Sequence, residues 1–344
     1  MSLATPGRWA GALAEAEAQA LRGTRGANPL VGAVVLAPGG ELVAAGFHRG
    51  AGHPHAEVEA LAALPPHWRA RAAELTLVVT LEPCRLSGRT GPCVRAILEA
   101  GIGRVVYAAA DPTPNAGGGR ELAAAGVEVH ADADPASAGR LNARWELARA
   151  TGRPFVTAHL AQSLDAKVAD VQGSGRWITS PQAREHSHGV RARVGAIVVG
   201  TGTVLADDPA LTVRLPGEPE RELPVVVAGV SPVPATHRLA VRAAEGGAVV
   251  RVPAHDPFSV LTASGADHVL LEGGPTLLAA FIDADLVDEL YLYVAPVFLG
   301  QGVDATAALA ARPVHDPVRW NPDPAGHEPE RLGPDLLLHL SPAA

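Results

Sequence analysis

Four residues in the first hundred have the types and the spacing for metal chemistry. They are His55 and Glu57 in the run Gly52-His53-Pro54-His55-Ala56-Glu57, Cys84 in Glu82-Pro83-Cys84, and Cys93 after Pro92. Cys84 and Cys93 are the only cysteines of the chain. A pair this close suits a metal site or catalysis better than a disulfide scaffold, which carries more bridges; two unrelated buried thiols are the plain alternative. Two thiolates and one imidazole are ligands of the kind tetrahedral zinc takes, and three of them leave one position open for water. Zinc brings the pKa of such a water to about 7, so hydroxide is available at neutral pH. Glu57 is then a proton carrier, not a fourth ligand. A purely structural zinc would usually close with a fourth protein side chain.

The spacing dictates how these residues must be held. Residues two apart do not share a helix face, so His55 and Glu57 converge only in the first turn of a helix, and Pro54 suits that start. Each cysteine follows a proline of fixed φ. Cys93 is predicted to open a helix, whose positive end favours thiolate. Periodicity predicts helices over 15–21, 55–64, 93–100, 119–125 and 136–150, and strands over 31–36, 42–47, 75–81 and 104–109. Strands separated by helices imply a sheet covered on both faces. Thr151-Gly152-Arg153-Pro154 ends a helix and starts an extended segment, which places a boundary between a first domain, 1–150, and a second, 151–344. In the second, strands are predicted at 155–161, 196–199, 224–227, 248–252, 268–271 and 289–294, helices at 180–194 and 275–283, and surface loops at 216–222 and 233–237.

Composition narrows the classes. The 344 residues are 47% hydrophobic and 19% charged, enough for two ordinary cores and too apolar for a disordered chain. Lys plus Arg number 28 against 36 Asp plus Glu, a net charge of −8. That balance argues against a nucleic-acid scaffold, while leaving room for a basic pocket around one small phosphate. No run of about 18 apolar residues and no signal-peptide pattern is present, so the expectation is a cytoplasmic protein with no membrane partner.

His-Ala-Glu followed by Pro-Cys and a second Cys resembles the zinc-dependent nucleobase and nucleoside deaminases. The eight residues between the cysteines, ending Gly88-Arg89-Thr90-Gly91-Pro92, are similar to the deaminase half of the bifunctional riboflavin-biosynthesis deaminase/reductase. Asn28-Pro29-Leu30-Val31-Gly32-Ala33 and Asp111-Pro112 with Gly117-Gly118-Gly119 match that family as well. The sequence departs from it at Arg85 and Leu86, where Ser-His is usual, and at Thr113, where Asn is usual.

The second half carries Ser163-Leu164-Asp165-Ala166-Lys167, the run from Gly200 to Pro209 continuing to Arg214, and Glu272-Gly273-Gly274-Pro275-Thr276 between a strand and a helix. A glycine-rich turn opening a helix suits a phosphate, although such a turn alone is most often only a tight turn, and the Gly-x-Gly-x-x-Gly spacing is missing. Together these segments resemble the reductase half of the same family. Here the departures are His159 for Lys, Ala166 for Gly and Gly175 for Ser.

The resemblance covers about Asn28 to Leu340. It implies a cytidine-deaminase-like three-layer α/β/α domain followed by a dihydrofolate-reductase-like α/β domain. It implies Zn2+ on His55, Cys84 and Cys93, with Glu57 catalytic. Asn28 and Arg89 would contact substrate in the first half, and Gly175, Arg191, Leu211, Arg214 and Glu272 in the second; Arg191 and Arg214 suit a phosphate because arginine offers forked donors. NADPH would be held by Gln162, Trp177, Thr203, Asp207 and the segment Gly274, Pro275, Thr276, Leu277, Leu278, Ala279 and Ala280. The implied function is hydrolytic deamination of 2,5-diamino-6-(5-phosphoribosylamino)pyrimidin-4-one, then NADPH-dependent reduction of the ribosyl chain to ribityl. The implied partners are this phosphorylated pyrimidine and further copies of the chain. Alternatives are an enzyme with one working half, a zinc deaminase for another base, including one in RNA or DNA, and a zinc-stabilised binding protein.

Overall fold

In the computed structural model the described residues are 8–23, 26–50, 52–85, 91–131, 133–173, 178–323 and 329–343. The chain divides into two compact units, Met1–Ala150 and Thr151–Ala344.

The first unit runs α1 (Ala10–Ala20), β1 (Gly32–Leu36), β2 (Leu42–Phe47), α2 (Ala56–Ala62), α3 (Pro66–Arg69), β3 (Thr76–Leu81), α4 (Cys93–Ala100), β4 (Arg104–Ala109), α5 (Gly118–Ala124), β5 (Glu128–His130) and α6 (Pro135–Ala150). Its sheet has the order β2-β1-β3-β4-β5. β1 is antiparallel to β2 and β3, while β3, β4 and β5 are parallel. Alternate strand residues feed two cores, as the two-residue period of a strand requires. Ala33, Val35, Leu77, Val79 and Val105 pack with Ala56, Ala60, Val94 and Ile97 of α2 and α4 on one face. Val34, Leu36, Val78 and Val106 pack with Leu13 and Ala16 of α1 on the other. The unit therefore has three layers.

The second unit runs β6 (Phe155–Ser163), β7 (Lys167–Asp170), α7 (Pro181–Ala192), β8 (Ala196–Gly200), α8 (Thr201–Asp207), β9 (Thr212–Val213), β10 (Arg221–Glu222), β11 (Val225–Ala228), α9 (Arg238–Ala244), β12 (Val249–Val252), α10 (Pro257–Ser264), β13 (His268–Leu271), α11 (Pro275–Asp283), β14 (Glu289–Ala295), β15 (Gly302–Asp304), β16 (Trp320–Pro322), β17 (Glu330–Leu332) and β18 (Asp335–Pro342). The main sheet has the order β12-β11-β8-β13-β6-β14-β18-β16, with β17 also on β18. From β12 to β14 the neighbours are parallel, and β18 closes antiparallel on β14. One face packs on α10 and α11 through Val260, Leu277 and Phe281. The other packs on α7 through Ala183 and Val190.

The strands predicted from apolar runs are present. The structure adds short elements whose periodicity is too brief to read, such as seven-residue α8 and α9. Predicted loop 216–222 ends in a two-residue strand, Arg221–Glu222, paired with Thr212–Val213. The long strand β18 was not predicted. Its segment follows Gly333-Pro334 and its burial alternates for only the first few residues.

Candidate active sites

The predicted metal ligands converge. His55 is the N-cap residue of α2, with extended backbone, and Glu57 lies buried in the first turn. Cys93 is the first residue of α4, after Pro92. Cys84 follows β3, tied to the start of α4 by Val94 N–H donating to its carbonyl at 3.2 Å. Thus two helix starts and a strand end each deliver one donor. His55 Nδ1 lies 3.2 Å from Cys93 Sγ and 3.5 Å from Cys84 Sγ, and the two sulfurs are 3.4 Å apart. Tetrahedral bonds of about 2.0–2.3 Å would hold such donors about 3.6–3.8 Å apart. The observed triangle is slightly tighter, and zinc fits it with small relaxation. Both cysteines are free thiols, buried in the fold. No fourth metal-ligating side chain joins the cluster among the described residues.

Electrostatics favours thiolate at Cys84, whose sulfur accepts from the Cys93 thiol, from His55 and from the Cys93 backbone N–H; these draw its pKa down to about 4. The proton stays on Cys93, which that same contact and burial push upward. Burial pushes the Glu57 carboxyl up to about 6, against the pull of His55.

The glycine turn predicted near Asp111 is tied to this site through Glu82, a buried carboxylate. Its Oε1 accepts from Gly117 N–H at 3.1 Å and Gly119 N–H at 3.0 Å, and Oε2 from Asp111 N–H at 3.3 Å. A Cβ on Gly118 would stand 1.8 Å from the Pro83 carbonyl oxygen, so only glycine lets the turn press against the Pro-Cys segment. Asn28 is half-buried, with Nδ2 2.9 Å from His48 Nε2. His48 Nδ1 in turn lies 2.9 Å from the Pro54 carbonyl, and the His48 and His55 rings meet edge to face at 5.3 Å. A carbonyl can only accept, so Nδ1 carries the proton and Nε2 accepts from Asn28. His48 was not singled out from the sequence, where it sits alone at the end of a strand. Arg89 and Leu86 lie outside the described residues.

In the second unit Gln162, Thr203, Glu272 and Gly274 lie at or just past the carboxyl ends of the parallel strands β6, β8 and β13, where ligands bind in open α/β sheets. α8 starts directly after β8, and α11 starts after the Gly273-Gly274 turn that follows neighbouring β13. Gly200 N–H donates to the Gly273 carbonyl at 3.4 Å, so the two helix starts are adjacent. Gly274 has φ +64°, and a Cβ there would lie 3.3 Å from Thr203 Oγ1. Gly229, after β11, has φ +127° and would bring a Cβ to 2.4 Å from Thr201 Oγ1. Bare backbone and two positive helix ends on adjacent strands fit the phosphates of a dinucleotide. Gly229 was not predicted; an isolated glycine after a strand carries little signal.

Thr203, Asp207, Gln162, Gly274, Pro275 and Ala280 are half-buried and Thr276 is exposed. Leu277, Leu278 and Ala279 are core residues, less than 5% exposed. Among the candidate substrate residues, Glu272 and Arg191 meet each other. Arg191 Nε and Nη2 (the latter at 2.6 Å) fork the Glu272 carboxylate, and Nη1 donates to the Thr212 carbonyl at 3.0 Å. Burial alone would raise the Glu272 carboxyl; the guanidinium holds it below its ordinary range. Leu211 is buried with φ +51°, a strained value for a branched side chain. Arg214 is exposed beside His188. His159 Nδ1 lies 3.2 Å from Ser187 Oγ, and its ring 4.8 Å from that of Tyr293. Gly175 and Trp177 lie outside the described residues.

Two family profiles match: the cytidine and deoxycytidylate deaminase zinc-binding region over residues 9–109, and the RibD C-terminal domain over 154–315. The riboflavin biosynthesis protein RibD of Mycobacterium tuberculosis is 43% identical over 327 residues, 93% of each chain. The chain belongs to the RibD family. Acinetobacter baumannii RibD superposes with a TM-score of 0.72 at 31% identity, covering 98% of both chains. A Thermotoga maritima diaminohydroxyphosphoribosylaminopyrimidine deaminase/5-amino-6-(5-phosphoribosylamino)uracil reductase gives 0.70 at 28% identity, covering 96% of this chain and 97% of that one. As a RibD protein the chain is a bifunctional enzyme of riboflavin biosynthesis, a deaminase that uses zinc and a reductase that uses NADPH. The deaminase-like and dihydrofolate-reductase-like folds expected of the two halves are those of RibD. No helix among the described residues is long and apolar enough to cross a membrane.

Proposed function

We propose that residues 1–150 deaminate 2,5-diamino-6-(5-phosphoribosylamino)pyrimidin-4-one and that residues 151–344 then reduce the ribosyl chain of the product to ribityl. The observation that carries this reading is the three-donor cluster with the buried Glu57 carboxyl beside it, on a chain whose second unit presents glycine backbone at the ends of adjacent parallel strands. His55, Cys84 and Cys93 hold zinc, which when bound makes water nucleophilic near neutral pH. Glu57, the buried carboxyl beside these donors, would act as the proton carrier, holding a proton taken from water until it is given to the departing ammonia. His48 fixes the amide of Asn28, which leaves its Oδ1 side to read the pyrimidine edge. Glu82 holds the Asp111–Gly119 turn against the Cys84 segment, so the substrate wall and the metal ligands keep one geometry. Arg89 contributes to the substrate's phosphate end.

In the second unit Thr203, Asp207, Gln162 and Trp177 contact NADPH, together with the turn and helix start from Gly274 to Ala280. Leu277, Leu278 and Ala279 take part through the shape of that helix start, since their side chains are in the core. Glu272, Arg191 and Leu211 border the pentose, with Arg214 nearby; Gly175 joins them on the resemblance alone. No covalent step on the protein is needed; placing the nicotinamide against the sugar carbon supplies much of the rate. We place the enzyme in the cytoplasm, as a homo-oligomer, where reducing conditions keep both thiols available.

A chelator tests the division of labour. One zinc per chain should be found, and its removal should abolish ammonia release. NADPH oxidation with supplied deaminated substrate should persist. Loss of both activities in parallel would overturn the assignment of separate chemistries to the two units.

A further inference from the structure

We propose that Arg85 and Thr113, two positions at which the first half departs from its family, act together as positioning residues for deamination, clamping the turn from Asp111 to Gly119 beside Cys84. The inference rests on the deaminase reading above, in which this turn is a wall of the pyrimidine site, and gives that wall two supports not yet assigned to it.

Arg85 directly follows the metal ligand Cys84. Its backbone N–H donates to the Asn115 carbonyl at 3.3 Å, and its Nε donates to the Ala116 carbonyl at 2.7 Å. Thr113 holds the same two residues from their amide side. Asn115 N–H donates to Thr113 Oγ1 at 3.2 Å, and Ala116 N–H to the Thr113 carbonyl at 3.0 Å. All four backbone polar groups of Asn115 and Ala116 are thus engaged, two by Arg85 and two by Thr113. Thr113 is itself fixed, its N–H donating to Asp111 Oδ1 at 2.8 Å.

The arginine has a seat in the turn. Gly117 has φ +103°, and a Cβ there would lie 3.3 Å from Arg85 Nε and 3.4 Å from its Cδ. The end of the side chain therefore lies against bare backbone, at a position whose φ already favours glycine. Glu82 grips the same turn from the other end of Pro83-Cys84, through the N–H groups of Gly117 and Gly119. A carboxylate can only accept and a guanidinium can only donate. Glu82 takes amides, Arg85 takes carbonyls, and neither can replace the other. Arg85 is exposed, so its side chain contributes alignment and little core packing. Substitutions at such surface positions usually cost little stability. Moving the turn would displace the pyrimidine wall while His55 and Cys93, carried on two helix starts, keep their places.

The test uses the full-length, zinc-loaded enzyme and follows ammonia release from the diaminopyrimidine phosphate. Arg85→Ser should raise KM about tenfold, as loss of a charged hydrogen bond would, with kcat within about twofold. Zinc content after dialysis and the melting temperature of the first unit should be unaltered, as should NADPH oxidation on supplied deaminated substrate. Arg85→Lys should recover part of the KM by restoring a charged donor. Thr113→Val, which removes the Oγ1 acceptor, should raise KM less. The double variant with Arg85→Ser should fall short of the product of the two effects, because both residues act on the same two peptide units. An unchanged KM in Arg85→Ser, or a loss of kcat accompanied by zinc loss or earlier melting, would overturn the positioning role. Strictly multiplicative effects in the double variant would overturn the joint clamp. An unaltered enzyme that releases no ammonia overturns the deaminase reading itself, a separable failure.

Discussion

The His55–Cys84–Cys93 cluster draws its three donor atoms from side chains that lie within 3.5 Å of one another. The second unit presents backbone instead, with Gly200, Gly229, Gly273 and Gly274 at the ends of adjacent parallel strands. The two sites therefore fail differently. In the proposed reading the first depends on four side chains, Glu57 and the three donors, and losing one removes an atom that the chemistry uses. In the proposed reading the second depends on how closely a large cofactor approaches the main chain, so most single changes there should alter binding. A hydrolytic step needs a positioned nucleophile and a proton carrier, whereas hydride transfer needs chiefly alignment.

Substitutions can break this contrast. Glu57→Gln carries the largest expected effect: ammonia release should fall about a thousandfold, in the range for loss of a general acid-base. NADPH oxidation on supplied deaminated substrate should move less than about twofold. Next comes Glu272→Gln, which leaves the mostly buried Arg191 without its carboxylate. Breaking such a pair costs about 3 kcal/mol, so calorimetry should show the second unit melting earlier while the first keeps its transition. An unshifted second transition would mean that Arg191 finds water or another acceptor.

Acidification should separate the units further. His268 in β13 is buried neutral, and burial lowers its pKa to about 4; unfolded, it titrates near 6.5. Above about pH 6.5 both states are neutral and stability is flat. Between about 6.5 and 4 only the unfolded chain takes the proton, so up to about 3 kcal/mol is lost from this group. His186, also lowered to about 4, adds in the same direction. A second unit that melts at the same temperature at pH 4.5 as at 7.5 would contradict this. The smallest effect is expected from Gly274→Ala. It forces a Cβ where φ is +64° and ψ +134°, a combination outside the wells open to L-residues, at about 1–3 kcal/mol, and should raise KM for NADPH several-fold with ammonia release unaltered.

The same contrast explains what could be read from the sequence. His-x-Glu with two Pro-Cys pairs names its own atoms, and the structure brings His55, Cys84 and Cys93 together as their spacing requires. Apolar runs such as Val225–Ala228 and His268–Leu271 announced their strands, because both faces of a covered parallel sheet are buried. What stayed hidden is relational. The role of His48 follows only from its contact with Asn28, twenty residues away. Glu82 earns attention through three backbone donors drawn from Asp111, Gly117 and Gly119. Arg191 read as a free fork for phosphate, and the fold gives that fork to Glu272, 81 positions later. Segment Gly274–Ala280 read as one cofactor contact, yet its helical period turns Leu277, Leu278 and Ala279 into the core.

The most direct test follows ammonia and NADPH separately in a single reaction, starting from zinc-loaded protein and the diaminopyrimidine phosphate. The account predicts ammonia release first, then NADPH oxidation to the same stoichiometry, with both absent in Glu57→Gln until deaminated substrate is supplied. NADPH oxidation at the parent rate by Glu57→Gln on the diamino substrate, or neither signal from the parent enzyme, would contradict it.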